Sequence, residues 1–68
     1  NRETIEAIQV CYSLNEKNRA REIGGLLSAL EKFDIKEGTI ITLDQQEEIK
    51  INNKTLKVIP AWKWMLGV

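Results

Sequence analysis

Three basic residues stand two positions apart near the start of a predicted helix: Lys17, Arg19 and Arg21. With Arg2 they are candidates for a surface that contacts phosphate groups, because the backbone N–H groups at a helix N-terminus also favour anions. The competing interpretation is a solvated helix face whose charge is partly neutralised by Glu16 and Glu22. The pattern favours the solvated face.

Composition restricts nucleophilic and metal-binding chemistry. The 68 residues contain one cysteine, Cys11, and no histidine. This excludes an internal disulfide, His-based acid–base catalysis and the serine or cysteine triads that need an imidazole. We interpret Cys11 as a small buried hydrophobe of a strand and expect no metal site.

Two tryptophans, Trp62 and Trp64, flank Lys63. Such rings could stack on nucleic-acid bases. Packing within the domain or against a partner protein is favoured, and two aromatic residues so close on a short helix cannot both face inward. We therefore expect one ring to be exposed.

Residues 45–48 form a polar, acidic segment that we interpret as a solvated turn, with metal binding as the less favoured alternative.

The charge balance argues against strong binding to polyanions. Ten basic and ten acidic residues give a net charge of zero, and the chain is 43% hydrophobic and 29% charged. This composition predicts a folded globular domain without the positive surface that grips DNA or an anionic membrane. We see no signal peptide and no apolar run of about 20 residues. We therefore expect a cytoplasmic protein.

The first two predicted elements are a strand and a long helix. Residues 4–13 alternate Ile8 and Val10 with Gln9 and Cys11, and their apolar character predicts a strand buried on both faces. A helix is predicted over residues 16–33, beginning either at Ser13, which has capping-box spacing to Glu16, or at Asn15. Its buried stripe is predicted to contain Ala20, Ile23, Leu26, Leu27, Leu30 and Phe33.

A glycine pair, Gly24 and Gly25, interrupts this predicted helix. Each glycine is about 1 kcal/mol less favourable than alanine in a helix interior. We attribute the pair to close packing of the helix on the sheet.

Residues 39–43 are predicted to form the second strand, and residues 48–52 and 55–59 a hairpin. A loop at residues 53–54, or at 52–55 with the same pairing, places Ile51 opposite Leu56. A loop at residues 52–53 places Ile51 opposite Lys54, which we disfavour.

Pro60 suits the first turn of a helix over residues 60–66. The prediction is an α/β fold of order β-α-β-β-β-α, with a mixed sheet, one main helix and a short C-terminal helix.

Four stretches occur in an order and spacing that resemble a known family: residues 8–14 (IQVCYSL), 19–23 (RAREI), 38–42 (GTIIT) and 59–64 (IPAWKW). Together they resemble the C-terminal end of a group of predicted archaeal and bacterial AAA-type ATPases. In that group a P-loop ATPase precedes a domain that resembles the restriction-endonuclease-like, or PD-(D/E)XK, fold. The resemblance spans nearly the whole chain.

The resemblance implies that residues 1–68 are a single domain or the C-terminal fragment of a nuclease-like domain. A P-loop sequence is not found in this chain. ATP and Mg²⁺ would therefore bind in a separate ATPase domain, and no cofactor is expected here.

The resemblance also implies a degenerate catalytic motif. In active members a strand ends in Glu/Asp-x-Lys, whose carboxylate binds Mg²⁺ with an upstream Asp and whose lysine activates water. Here Gln9 takes the place of the carboxylate and Cys11 that of the lysine. A neutral amide is a poor Mg²⁺ ligand, and a thiol does not supply an ammonium charge. We favour Gln9 as an interior strand amide bonded to a neighbour.

The expected function is therefore that of a non-catalytic accessory or interaction domain of an AAA-type ATPase. Its partners would be its own ATPase domain, another protein or a second copy, contacted through Trp62 and Trp64, and we expect no membrane partner. The alternative is a DNA-binding or degenerate metal-dependent nuclease domain that acts through Lys17, Arg19 and Arg21. Catalysis by this chain alone is not expected.

Overall fold

The computed structural model describes residues 7–67. The elements follow the predicted order β-α-β-β-β-α: β1 Ala7–Val10, α1 Arg19–Lys32, β2 Glu37–Thr42, β3 Glu47–Ile51, β4 Lys54–Pro60 and α2 Ala61–Leu66. The strands form one mixed sheet of order β1-β2-β4-β3, in which only the β3–β4 pair is antiparallel. The α/β class and the mixed sheet are confirmed.

The core lies between α1 and one face of the sheet. Leu30 of α1 and Ile40, Leu56 and Val58 of the two central strands are 0% exposed. Leu26 of α1 lies over Gly38 of β2, where an added Cβ atom would come within 3.0 Å of the leucine side chain. The missing side chain at Gly38 therefore lets the helix approach the sheet closely.

Strand β1 differs from the prediction of a strand buried on both faces. The described strand lies at one end of the sheet and pairs with β2, while residues 4–6 of the predicted strand fall outside the described residues. Ala7 and Gln9 share the α1 side with Gly38 and Ile40, because those residues are in register. Val10 points to the other face and is 77% exposed. The prediction was wrong because α1 covers only one face.

The start of α1 is organised by Asn15. Its Oδ1 atom accepts hydrogen bonds from the N–H groups of Lys17 at 2.8 Å and Asn18 at 3.1 Å. In return, Asn18 Oδ1 accepts the Asn15 N–H at 2.9 Å. These bonds hold the turn that precedes α1. The N-cap of α1 is Asn18, which makes no side-chain cap hydrogen bond, so the helix begins at Arg19 rather than at residue 16, and the predicted caps Ser13 and Asn15 both lie too early.

The glycine pair in α1 does not serve close packing. Gly24 and Gly25 are exposed, and a Cβ atom added at either would meet nothing within 4 Å among the described residues. The buried stripe of α1 consists instead of Ile23, Leu26 and Leu30. The predicted members Ala20 and Phe33 are exposed. The explanation offered for the glycines was therefore wrong, and the close approach occurs at Gly38.

The hairpin adopts the register that the sequence analysis disfavoured. Its loop is Asn52–Asn53, and Ile51 pairs with Lys54. The two asparagines have φ angles of 54° and 65°. A two-residue loop of type I′ needs positive φ at both positions, which asparagine adopts more readily than lysine. In this register the Lys54 side chain still has a partner, because its Nζ donates a hydrogen bond to the Ile35 carbonyl oxygen at 2.9 Å.

The second helix begins one residue later than predicted. Pro60, with φ −74° and ψ 148°, ends β4 in an extended conformation and precedes α2. Gly67 ends α2 with φ 77°, and its N–H donates to the Trp64 carbonyl oxygen at 3.1 Å. Within residues 7–67, neither helix is long and apolar enough to span a membrane.

We predict opposite effects for alanine at Gly24 and at Gly38. Gly24→Ala should stabilise the fold by about 1 kcal/mol, because a helix prefers alanine and the space is open. Gly38→Ala should destabilise it by about 1–3 kcal/mol, because the methyl group would overpack against Leu26. Chemical denaturation followed by circular dichroism measures both. A destabilising Gly24→Ala change would contradict the open environment of this helix face.

Candidate functional site

The carboxyl ends of β1, β2 and β4 meet at one edge of the sheet, where open α/β sheets commonly bind ligands. Pairing between the first two strands continues beyond their last residues. The Cys11 N–H donates to the Ile41 carbonyl oxygen at 2.9 Å, and the Leu43 N–H donates to the Tyr12 carbonyl oxygen at 3.1 Å. The segments that leave these strands therefore lie side by side.

Gln9, at the position where the resemblance implies a degenerate metal ligand, is bonded to α1. Its Nε2 donates to the Glu22 carbonyl oxygen at 3.2 Å and to the Glu22 carboxylate. The amide is half-buried and joins β1 to the helix above it. This is the role that the sequence analysis favoured for an interior strand amide.

Cys11 is buried in the core cluster beside Leu14 and Ile23. Its Sγ lies 3.4 Å from the Ser13 carbonyl oxygen and 3.9 Å from Asn18 Nδ2. Asn18 Nδ2 also donates to that carbonyl at 2.8 Å. The thiol therefore sits among a carbonyl, an amide and apolar side chains, as expected for a structural cysteine.

Gln45, which the sequence analysis placed in a solvated turn, fastens the loop after β2 to the loop after β1. Its Oε1 accepts the Leu14 N–H at 2.7 Å, and its Nε2 donates to the Leu14 carbonyl oxygen at 2.9 Å. The side-chain amide thus pairs with a backbone residue as a neighbouring strand would. Thr42 anchors Gln45 in turn, because Thr42 Oγ1 accepts the Gln45 N–H at 3.0 Å.

The three basic candidates do not form one free cationic patch. Arg19 makes a two-pronged ion pair with Glu47 at the start of β3, with Nη1 at 3.2 Å from Oε1. This hydrogen-bonded pair raises the pKa of Arg19 and lowers the pKa of the Glu47 carboxyl. Arg21 is 73% exposed, with Nη2 at 3.4 Å from the Glu22 carboxylate, and Lys17 is exposed in the turn before α1. Arg19 is therefore the least available of the three for phosphate.

The acidic segment contributes to β3 rather than to a metal centre. Glu47 and Glu48 begin that strand and line a depression of about 490 Å³ together with Lys57 and Lys63. The Glu47 carboxylate is paired with Arg19, and Glu48 Oε2 lies 3.6 Å from Lys50 Nζ. Among residues 7–67, no three His, Cys, Asp or Glu side chains gather closely enough to hold a metal ion.

An apolar pocket of about 180 Å³ opens at the strand ends. Its lining comes from the end of β1, the end of β2 and the first residue of α2: Val10, Cys11, Tyr12, Ile41, Thr42, Leu43 and Ala61. A volume of this size accommodates one large apolar side chain.

Exposed apolar residues line this pocket and also occur on α2, whose first residue, Ala61, belongs to the lining. Six of them are between 53% and 77% exposed, and we call this set the strand-end apolar surface: Val10, Tyr12, Leu43, Trp62, Met65 and Leu66. Trp64 is also exposed, so both tryptophans are open to solvent where at least one exposed ring was expected. The side of α2 that is half-buried carries Ala61 and Lys63 instead.

The sequence analysis missed Gln45 and the exposure of β1. Gln45 lies three residues after the end of β2, and its long side-chain amide can pair with a neighbouring backbone, which was the available signal. The periodicity could not predict the exposure of β1, because an apolar alternation looks the same whether a strand face is covered by the same domain or by a partner.

Comparison with known proteins shows similarity to a longer protein. The chain is 40% identical over 70 residues to an uncharacterized protein of Methanocaldococcus jannaschii. The match covers 94% of this chain and 16% of that relative's length. No family model matches the sequence, and no solved structure matches it significantly.

We predict that Gln45→Ala destabilises the fold by about 1–3 kcal/mol, because Leu14 is buried and its N–H and carbonyl groups would lose their partner. Gln46→Ala is the matched control at an exposed neighbour and should change stability by less than about 0.5 kcal/mol. Urea denaturation measures both variants. Equal effects would show that the amide pairing does not hold the two loops together.

Proposed function

We propose that this chain is a non-catalytic interaction module, cytoplasmic and accessory to an AAA-type ATPase. One observation carries the proposal: the strand-end apolar surface is exposed at the edge of the sheet where a site is expected, while Gln9, Thr42 and Gln45 beside it are hydrogen-bonded within the fold. Large contiguous apolar surfaces of this kind mark interaction sites in soluble proteins.

The residues at the two motif positions that the resemblance implies support a non-catalytic role. The Gln9 amide is engaged by Glu22, and Cys11 is buried beside Ser13 and Asn18. Neither side chain supplies the negative charge that Mg²⁺ prefers or the ammonium group that would activate water. The restriction-endonuclease-like fold remains part of the proposal, supported by the resemblance and consistent with the mixed sheet.

The link to an ATPase rests on the resemblance and on the longer relative. A segment matching this chain makes up 16% of the Methanocaldococcus protein, which leaves ample sequence there for an ATP-binding domain. In such a protein ATP and Mg²⁺ would bind in the ATPase domain. The segment equivalent to this chain would supply contacts to that domain, to another protein or to a second copy.

A second candidate is a DNA-binding or degenerate nuclease domain. The observation that favours it is the exposure of Arg21 and Lys17 at the beginning of α1. Both side chains are open to solvent, and backbone N–H groups of the same region favour anions. The ion pair of Arg19 with Glu47 and the net charge of zero weaken this candidate.

The proposal predicts that the full-length Methanocaldococcus protein hydrolyses ATP in the presence of Mg²⁺ and that the 68-residue chain does not. Phosphate release measures the activity of both, with heat-denatured samples as the control. The same chain should leave duplex and branched DNA uncut in Mg²⁺. Absence of ATP hydrolysis by the full-length relative would contradict the ATPase link, and cleavage of DNA would contradict the non-catalytic role.

Fluorescence anisotropy with labelled DNA separates the two candidates. If the chain is an interaction module, it should show no saturable DNA binding at low salt, and the Arg21→Glu variant should bind DNA as weakly as the unaltered chain does. A phosphate-contacting surface would instead bind at low salt, weaken steeply with added salt and lose affinity several-fold in Arg21→Glu. Lys36→Glu, an exposed charge reversal just before β2, is the matched control.

A further inference from the structure

We propose that the strand-end apolar surface binds a second copy of this chain, with α2 of each copy seated over the apolar pocket of the other. This inference rests on the proposed function and names the partner of the same surface. Its elements are a short helix that leaves its large apolar side chains exposed, a pocket next to it and the area that the two offer together.

Helix α2 has six residues and no buried residue among those described. Isolated helices shorter than about 12 residues are marginal in water, so a short helix depends on tertiary packing of an apolar face. Trp62, Met65 and Leu66 instead face solvent. Contact with another apolar surface would stabilise α2.

The pocket supplies such a surface on the same chain. It is lined almost entirely by apolar atoms from Val10, Tyr12, Ile41, Leu43 and Ala61. Ala61 is also the first residue of α2, so the pocket and the exposed helix are adjacent. A two-fold axis next to Ala61 would therefore bring each helix to the other copy's pocket at once, as a self-complementary interface requires.

The exposed area fits a weak dimer. Aromatic side chains bury about 150–250 Å² each when fully covered, and aliphatic ones less. Scaled by their exposure, the six residues of the strand-end apolar surface offer on the order of 600 Å² per copy. A standard interface buries about 800 Å² per partner, so we expect a dimer that dissociates in the micromolar range.

Charge does not oppose this pairing. The chain has ten basic and ten acidic residues, so two copies carry no net repulsion. Lys63 is the one charged residue between Trp62 and Leu66. It lines the separate depression that Glu48 and Lys57 also line, and it is not among the residues that line the apolar pocket.

The chain contains a built-in reporter for the experiment. Its two tryptophans, Trp62 and Trp64, both belong to α2, so tryptophan emission responds to this helix alone. We would record emission and sedimentation velocity on the same samples from about 1 μM to about 500 μM, a range that brackets a weak dimer. The sedimenting mass should double with increasing concentration, and emission should shift to shorter wavelength with the same midpoint.

Matched substitutions locate the interface. Tyr12→Ser on the pocket side and Leu66→Ser on the helix side should each weaken the dimer by about tenfold or more. Phe33→Ser removes an aromatic side chain that is 55% exposed at the far end of α1, and it should change the dissociation constant by less than about twofold. Circular dichroism confirms that each variant is folded.

Three results for the folded chain would overturn the inference. They are a monomer throughout the concentration range, a dimer whose formation leaves tryptophan emission unchanged, and a dimer weakened equally by Phe33→Ser and Tyr12→Ser. A chain that stays unfolded even at the highest concentration counts against it as well. If the chain is a monomer that neither binds nor cuts DNA, the dimer is ruled out but the proposed interaction module is not. The strand-end apolar surface would then bind a different protein or the ATPase domain. DNA cleavage would instead remove the proposed function itself.

Discussion

The packing of α1 on a single face of the sheet determines the rest of this structure. Leu26 reaches the backbone of β2 because Gly38 has no side chain, and Leu30 completes the contact over Ile40 and Val58. One amphipathic helix covers one face of a sheet in which two of the three strand pairs are parallel. Parallel sheets are normally covered on both faces. Apolar residues that point away from α1, and those of the short helix after β4, consequently remain available to a partner.

Polar side chains at the strand ends serve the architecture. Gln45 pairs with the backbone of Leu14, Asn18 bridges the capped turn to Ser13, and Gln9 holds α1 through Glu22. Each of these bonds satisfies backbone or side-chain groups that burial would otherwise leave unpaired. At the edge of the sheet where α/β proteins often place catalytic groups, these side chains are therefore committed to structure. The same edge exposes Val10, Tyr12 and Leu43, which is why we propose a binding role there.

The sequence pattern predicted the helices and strands, whereas tertiary packing and turn conformation determined the hairpin register and the exposure of β1. The stripe of Ile23, Leu26 and Leu30 and the β-branched run of β2 were readable from periodicity, as were the element order and the mixed sheet. The hairpin register was not, because pairing preference and turn conformation conflicted at Ile51, and the positive φ angles of the two asparagines prevailed. The exposure of Val10 was not readable either, since its burial depends on what covers the second face. The candidates at Lys17, Arg19 and Arg21 could be named by composition, whereas the ion pair with Glu47 links residues 28 positions apart.

The central claim is that the apolar surface at the strand ends is an interface that association covers. Its most direct test is the relaxation enhancement of methyl protons by a soluble gadolinium chelate, measured on the 68-residue chain at low and at high concentration. Val10 and Val58 are matched reporters, because one is exposed on the open face and the other is fully buried beneath α1. We predict strong enhancement at Val10 in dilute solution, a marked decrease at high concentration, and protection of Val58 throughout. Enhancement at Val10 that stays constant with concentration would contradict the claim.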